Sequence, residues 1–343
     1  MIYRIPEYYR SFRCIADKCR DSCCIGWEID IDSDTAGYYA GVGGEFGERL
    51  RDSISGGSFV LTGSERCPFL NDRGLCDIFI ELGEENLCQI CTDHPRYYEW
   101  FSGVKEGGVG MCCEEAARLI LLSDTALTET EIPDEDTDAD YDEELYELLL
   151  SARSMIMEQL SCGDLRGSLC AALDFAEELQ MRMDNGDYSL PQLKQTTDAA
   201  APDISAVFGY FSTLEPIDEN WIPFLRSCAD MGDELPQLTE TQELYLRRIA
   251  VYFIYRYFMK GTFDEEILSR VKLAAVSVWL IGWIWRCQAE SEGTLSADQC
   301  AWTAKNYSKE IEYSTDNIEA LCDAFYTEPY FSSAAIMGLI KQL

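Results

Sequence analysis

The residues in this sequence with the clearest chemical potential are cysteines, and they are concentrated near the amino terminus. Ten of the 16 lie between positions 14 and 113: Cys14, Cys19, Cys23, Cys24, Cys67, Cys76, Cys88, Cys91, Cys112 and Cys113. Thiols at this density form disulfides, bind metal or do redox chemistry. The spacings C-x4-C-x3-CC and C-x2-C bring several thiols together in short loops, which is typical of metal sites.

The cellular compartment bears on the choice between disulfides, metal binding and redox chemistry. The first residues, MIYRIPEYYRSF, lack the layout of a signal peptide. The apolar run at 271–285 contains Lys272 and is shorter than the roughly 20 apolar residues that span a bilayer, so we expect a buried helix there and no membrane span. Both features predict a cytoplasmic protein, in which disulfides rarely persist. Adjacent cysteines also pair with each other only under strain. We therefore expect a metal centre.

The spacing leaves the identity of the metal open. Zinc and iron–sulfur clusters both take four thiolates. The only histidine is His94, so a zinc site here would be essentially all-cysteine, and we expect His94 to be structural or at the surface rather than a ligand. Neither the zinc-ribbon run nor the ferredoxin run is present. The six later cysteines are predicted to be small buried hydrophobic residues: Cys162, Cys170, Cys228, Cys287, Cys300 and Cys322.

The composition limits the classes of partner. Apolar residues make up 47% of the chain, which is typical of a globular protein. The formal net charge of −35 argues against nucleic acid as a partner, because binding phosphates requires concentrated lysine and arginine. It is compatible with a basic protein as substrate, although plain solubility is the commoner meaning of acidity.

The elements that must position the cysteines follow from the hydrophobic pattern. We expect an α+β, mostly α fold, with a cysteine-rich metal domain at 1–122, an acidic linker at 123–143 and a helical domain at 144–343. Alternation at Trp27, Ile29 and Ile31 predicts a short strand, and prolines between 185 and 238 predict a looped connection. Further patterns predict a helix at 76–82 ended by Gly83, strands within 97–113, a helix from 114, and helices over most of 144–343.

Several stretches resemble a known family. FRCIADKCRDSCCIGWEIDID (12–32), RCPFLNDRGLC (66–76), LGEENLCQICTDHPR (82–96) and CCEEAARLILL (112–122) are similar to the CxxCxxCC zinc- or iron-chelating domain. More closely, the chain resembles the flagellin lysine N-methylase family, whose second signature is similar to NYSKEIEYSTDNIEAL (306–321). The chain departs from that signature at two positions: Lys309 and Tyr313 stand where the family tends to carry Arg and His.

The resemblance implies an S-adenosylmethionine-dependent protein-lysine N-methyltransferase with a four-iron (4Fe-4S) cluster, acting on lysine side chains of a protein such as flagellin. The family's metal-binding cysteines fall on eight positions, with Cys88 and Cys112 as extras: Cys14, Cys19, Cys23, Cys24, Cys67, Cys76, Cys91 and Cys113. The signature offers Tyr307, Glu310 and Glu312 as catalytic candidates. Carboxylates and tyrosines are the usual groups that hold a reacting amine.

Other readings remain open. No glycine fingerprint marks an adenosylmethionine pocket, and the compact CxxxCxxC loop that radical chemistry would need is absent, which favours a structural cluster and polar methyl transfer. A non-enzymatic zinc- or iron-chelating or iron–sulfur protein is the alternative from another class. Each candidate carboxylate also has an ordinary reading as an exposed helix residue, and Tyr307 as a packed one.

Overall fold

The computed structural model describes residues 1–63, 65–101, 103–135, 141–194, 199–232 and 234–343. A mixed sheet lies at its amino-terminal side, with the strand order β4-β5-β1-β6. Its strands are β1 (Ile2–Pro6), β4 (Arg96–Phe101), β5 (Val104–Val109) and β6 (Leu127–Glu131), and β1 runs parallel to β5. A small hairpin joins β2 (Ile54–Ser55) to β3 (Ser58–Phe59).

Helices make up most of the described chain, which confirms the predicted α+β, mostly α class. The amino-terminal third carries α1 (Ser33–Gly41), α2 (Gly44–Asp52), α3 (Asp77–Leu82), α4 (Gln89–Asp93) and α5 (Glu114–Leu122). The remainder carries α6 (Glu143–Cys162), α7 (Leu165–Asp184), α8 (Ile204–Phe211), α9 (Trp221–Ala229), α10 (Glu240–Tyr257), α11 (Gly261–Asp264), α12 (Leu268–Glu292), α13 (Ala297–Glu312), α14 (Thr315–Thr327) and α15 (Ser333–Ile340). Single 3-10 turns lie at Glu7–Ser11, Ala16–Lys18, Glu84–Asn86, Phe258–Lys260 and Pro329–Phe331.

The central element is α12. By length and composition it could cross a membrane, but 94% of its most apolar stretch is buried inside the protein. Trp279, Trp283 and Trp285 on this helix are at most 1% exposed. The prediction of a buried helix at 271–285 is therefore confirmed, and α12 is the core helix on which the other helices pack.

The described residues form two hydrophobic cores. The larger one joins the helices of the carboxy-terminal part to the sheet, since Phe101, Val109 and Met111 belong to it. The smaller one is built from the stretch between Cys24 and Cys91 and contains thiols among its apolar residues. The core therefore does not divide at residue 122, because the sheet packs with the helices while the cysteine loops form a satellite.

Two predictions about connecting segments need correction. Residues 127–131 of the predicted acidic linker form β6, which pairs antiparallel with β1; positions 136–140 of that linker lie outside the described residues. The predicted loop at 185–238 contains α8 and α9. Pro223 is compatible with α9 because it lies in the first turn, where a backbone N–H has no partner within the helix.

The predicted strand at 27–31 is not formed, although its alternation is real. Ile29 and Ile31 are both buried in the smaller core. The segment makes only an isolated bridge, Asp30 to Ser58, because the neighbouring strand β3 is two residues long. Other local predictions are confirmed: α3 ends at Gly83, which has a φ of 93°, and β4, β5 and α5 follow the cysteine loops.

Candidate active site between the cysteine loops and the C-terminal signature

The signature at 306–321 spans the end of α13, a short turn and most of α14. Ser296 and Gln299 form a capping box that fixes the start of α13. At the other end, the Ser314 side chain accepts a hydrogen bond from the backbone N–H of Asn317 and begins α14. Helix α13 packs beside α5, which begins directly after Cys113. The signature therefore lies against the cysteine-rich part of the chain.

Two of the three predicted catalytic residues are occupied by structural contacts. Tyr307 is fully buried, and its hydroxyl lies 2.8 Å from Oγ of Ser277 on α12. The carboxylate of Glu310 accepts the backbone N–H groups of Ile217 and Asp218 at 2.7 and 2.9 Å. Burial raises the pKa of Glu310 despite these two hydrogen bonds, which lower it. Glu310 thus holds the loop before α9, and Tyr307 packs in the core.

The third predicted residue, Glu312, is the acceptor of a buried polar cluster. Its carboxylate accepts hydrogen bonds from the hydroxyls of Tyr252 and Tyr257, each at 2.8 Å, and from Ser308 at 2.5 Å. The guanidinium of Arg256 lies 3.1 Å away, and the Glu312 side chain has no exposed surface. A buried charge is stable only with such partners, so Glu312 is fully compensated.

Arg256 links this cluster to the sheet. Its guanidinium lies over the rings of Tyr97, Tyr252 and Tyr257, at 4.7, 5.9 and 5.2 Å from their centroids. A Cβ atom at Gly110 would approach Arg256 Nη1 to 3.1 Å, so glycine gives the side chain its room. The start of β4 and the carboxy-terminal end of α10 are therefore joined through one cation.

Tyr313, directly after Glu312, reaches the cysteine-rich part. Its hydroxyl lies 2.6 Å from Nδ1 of His94, and the same hydroxyl hydrogen-bonds the thiol of Cys112. The Trp27 ring packs 4.3 Å from the ring of Tyr313. Burial lowers the pKa of His94 to about 4, so the imidazole is neutral at pH 7. His94 and Tyr313 are only partly buried, in contrast to Glu312.

The first cysteine loop is anchored on the same helix. Asp21 forms ion pairs with both Lys305 and Lys309, the latter at 2.8 Å. These two lysines hold the pKa of Asp21 below its usual range, although burial acts in the opposite direction. The Lys309 ammonium also lies 5.8 Å from the ring of Trp27. Lys309, one of the two departures from the family signature, is therefore a cation that binds the loop.

The cysteines fall into two neighbourhoods. We name the first the outer thiol set, which comprises Cys14, Cys19, Cys23 and Cys113. Burial raises the pKa of Cys113 to about 11, and the nearby Cys19 and Cys14 raise it further. The hydrogen bond with Cys24 and burial raise the pKa of Cys23, and the nearby Cys14 and Cys113 raise it further. Arg20 fastens this loop to the start of α5 through hydrogen bonds from its backbone N–H and Nε to Glu114, at 2.8 and 2.7 Å.

The second neighbourhood, the inner thiol set, lies in the smaller hydrophobic core and comprises Cys24, Cys67, Cys76, Cys88 and Cys91. The backbone N–H of Cys67 donates to the carbonyl of Cys24 at 2.8 Å. Burial raises the pKa of Cys67 to about 12, and Cys24 and Cys76 add to the rise. The adjacent cysteines 23 and 24 thus belong to different neighbourhoods. A hydrogen bond from Cys23 lowers the pKa of the Cys24 thiol and joins the two sets.

Both thiol sets have the donor chemistry that zinc and iron–sulfur clusters take. Within the part of the chain that the structure describes, no group of three or more His, Cys, Asp or Glu side chains converges closely enough to hold a metal ion. The metal-ligand set of eight cysteines therefore stays a prediction. Of the six later cysteines, four are buried as expected (Cys170, Cys228, Cys287 and Cys300), whereas Cys162 is exposed and Cys322 is intermediate.

We call the region where α13 and the buried Glu312 cluster meet the cysteine loops the junction. Sequence reasoning missed several of its residues: Asp21, Trp27, Tyr97, Tyr252, Arg256 and Tyr257. The last three lie in RRIAVYFIYRYFM, where the helical period predicts burial but does not show that two hydroxyls and a guanidinium share one carboxylate. Arg256 carried a signal, since an arginine within a strongly apolar helix needs a buried partner.

The carboxy-terminal part of the chain is similar to known proteins. Residues 214–339, which include α9 to α14 and the whole signature, match the family model of the FliB lysine N-methylase C-terminal domain. This segment is therefore similar to the flagellin lysine N-methylase family. The predicted resemblance is confirmed there, and that of the cysteine-rich part stays a prediction.

Curated relatives come from Salmonella. The Lysine-N-methylases of Salmonella typhimurium and Salmonella choleraesuis are each 26% identical over 136 residues, covering 37% of this chain and 34% of theirs. The Flagellar biosynthetic protein FliU of Salmonella muenchen is 26% identical over 132 residues, covering 36% of this chain and 78% of its own length. The chain thus matches about a third of the length of the two lysine-N-methylases. No solved structure matches it significantly.

Proposed function

We propose that this chain is an S-adenosylmethionine-dependent protein-lysine N-methyltransferase of the flagellin type, with an iron–sulfur cluster held by its cysteine loops. The observation that supports this most strongly is the junction itself. In the segment that matches the family model, α13 ends at Glu312, which lies in the buried polar cluster. The next residue, Tyr313, contacts His94 beside the cysteine loops. Two predicted motifs that are far apart in sequence therefore meet at one place.

Methyl transfer from a sulfonium is a displacement at carbon, and it needs a neutral amine aligned with the methyl group. The lysine ammonium, with an ordinary pKa of about 10.4, must lose a proton to solvent and then present its lone pair. We assign Tyr313 to this alignment: its oxygen accepts an N–H from the substrate amine, while the neutral His94 ring accepts the tyrosine O–H. Both are partly exposed, so a lysine side chain can reach them.

The other residues of the site hold neighbouring groups in place. Glu312 is enclosed by its partners, so it holds Tyr252, Tyr257 and Arg256 in place and does not touch the substrate. Asp21 and Lys309 fix the first cysteine loop against α13. A bound cluster would supply a structural cross-link between the cysteine loops, with ligands drawn from the eight predicted cysteines.

The experiment that tests this function is transfer of labelled methyl groups from S-adenosylmethionine to flagellin or another lysine-rich protein. We expect label on lysine, at least about tenfold less with Tyr313→Phe, since misplacement of a reacting group costs rate steeply. Tyr210→Phe is the matched control, because it also removes a single tyrosine hydroxyl, one that donates to the backbone carbonyl of Ala320 on α14. A chain that binds metal but neither binds the methyl donor nor transfers methyl groups would be the non-enzymatic metal protein instead.

A further inference from the structure

The outer face of the sheet carries a lysine enclosed by aromatic rings. Strand register aligns Tyr3 on β1 with Lys105 on β5 and Lys105 with Trp100 on β4. Tyr98 lies two residues before Trp100 and therefore on the same face. The Lys105 ammonium lies 4.8 Å from the ring centroids of Tyr98 and Trp100 and 5.9 Å from that of Tyr3. Three rings on three strands thus surround one cation.

A carboxylate completes the enclosure. Glu135 accepts hydrogen bonds from the Lys105 ammonium at 2.8 and 2.9 Å and from Nε1 of Trp100 at 2.7 Å. The Glu135 side chain is 40% exposed and that of Lys105 is 16% exposed, so the ion pair lies at the protein surface. We call Tyr3, Tyr98, Trp100 and Glu135 the aromatic cage.

Neighbouring residues hold the cage in shape. The hydroxyl of Tyr9 lies 3.3 Å from that of Tyr98, and its ring packs edge-on against Tyr3 at 6.1 Å. A Cβ atom at Gly107 would come within 2.7 Å of the Tyr3 hydroxyl, so glycine leaves the space for that ring. The rings of Tyr3 and Tyr98 are therefore positioned by contacts that do not involve Lys105.

We propose that the aromatic cage binds the methylated ammonium group of a lysine side chain from another protein, and that Lys105 fills it when no such ligand is present. Rings attract cations through their π faces, and aromatic cages of this kind recognise methylated lysine. Methylation weakens the hydration of the ammonium, so a methylated group enters an aromatic site more readily than an unmodified one. The ion pair of Lys105 and Glu135 lies at the surface and is exposed on its Glu135 side, and surface pairs of this kind are weak enough to exchange.

The carboxylate sets the preferred methylation state. Glu135 can accept a hydrogen bond only from a ligand that has an N–H; the ammonium groups of monomethyl- and dimethyl-lysine have two and one, whereas trimethyl-lysine has none. The cage therefore favours the lower methylation states. This inference does not depend on the proposed methyl transfer, because it concerns equilibrium binding, and a protein without transferase activity would show it equally.

The test is calorimetry with peptides that carry one lysine in its unmodified, monomethyl, dimethyl or trimethyl form. Lys105→Ala empties the cage, and we expect it to bind the dimethyl peptide at least tenfold more tightly than the unmodified peptide and more tightly than the wild type does. Lys105→Arg, which keeps a cation in the cage, and Lys105→Ala with Trp100→Leu are the controls, and both are expected to lose binding.

Equal binding of all four peptides by Lys105→Ala, or no binding by a folded Lys105→Ala protein, would overturn the proposal. If Lys105→Ala does not fold, the wild type serves instead. Its Trp100 indole N–H resonance, assigned with Trp100→Phe, should shift saturably with the dimethyl peptide and not with the unmodified one. An unshifted resonance would likewise overturn the proposal.

Discussion

The hydroxyl of Tyr313 and Nδ1 of His94 lie 2.6 Å apart, although the two residues are separated by 219 positions in the sequence. Tyr313 stands where the related signature tends to carry a histidine, and the only imidazole of this chain is brought to the same place from the cysteine-rich part. The site beside the signature therefore still contains an imidazole, which His94 supplies through space.

Replacing His94 tests this relationship. We expect His94→Phe to retain the packing against Trp27 and Tyr313 but to lose the acceptor for the tyrosine O–H, which misorients the hydroxyl. Methyl transfer should fall at least about tenfold, whereas the free energy of unfolding should change by only about 1 kcal/mol. His94→Asn, which offers an amide oxygen as acceptor, should restore part of the rate. Equal rates in all three proteins would contradict the assignment.

Glu312 and Glu310 form a matched pair of buried carboxylates on one helix. Glu312→Gln leaves the Arg256 guanidinium without its anion, and removing one partner of a buried ion pair costs about 3–5 kcal/mol. Glu310→Gln keeps an oxygen for one of the two backbone N–H groups and should cost about 1–2 kcal/mol. Urea unfolding of both variants measures the difference, and a larger loss in Glu310→Gln would refute the structural ranking.

The pH dependence of stability should show the ion pairs of Glu106. Burial acts to raise the pKa of this carboxyl, but Arg153 and Arg4 outweigh it and hold the pKa below its ordinary value of 4.5. The stabilisation is therefore fully present above pH 4.5 and is lost as pH falls through the lower value in the folded protein. The difference in unfolding free energy between wild type and Glu106→Gln should shrink as pH falls below 4.5. A constant difference would be the contrary result.

Metal content tests the two thiol sets. Anaerobic purification should give a brown protein with about four irons per chain if the cysteines hold a four-iron cluster. Cys67→Ser and Cys113→Ser, one from each set, should lower the bound metal, and Cys170→Ser should not, because Cys170 is buried in α7 away from both sets. A colourless protein with stoichiometric zinc would make the cysteine loops a structural zinc domain. Unchanged metal in all three variants would exclude these thiols as ligands.

The sequence predicts the elements of this fold better than it predicts their contacts. Helical periods place α6, α7, α10 and α12 correctly, because a long apolar stripe has few alternatives. Residues 299–325 have one continuous helical pattern, which gives no sign of the split into α13 and α14. The break depends on the local hydrogen bond that the Asn317 backbone N–H donates to Oγ of Ser314. The prolines within 185–238 predicted a loop, but Pro223 lies in the first turn of α9, where a helix tolerates proline.

The contacts within the candidate site were likewise not predictable from the sequence. The signature drew attention to Tyr307, Glu310 and Glu312, yet the sequence does not show which way each side chain points. Only Glu312 faces the polar cluster, and Tyr307 and Glu310 serve packing and a loop. His94 and Arg256 come from distant segments, so their roles depend on tertiary contacts that no local pattern encodes.

The most direct test of the proposed function is mass spectrometry of flagellin after incubation with the purified, metal-loaded protein and S-adenosylmethionine. We predict mass increments of whole methyl groups on lysine side chains, present with the wild type and Tyr210→Phe and strongly reduced with Tyr313→Phe. Unmodified lysines after reaction with a protein that is folded and carries its metal would contradict the account.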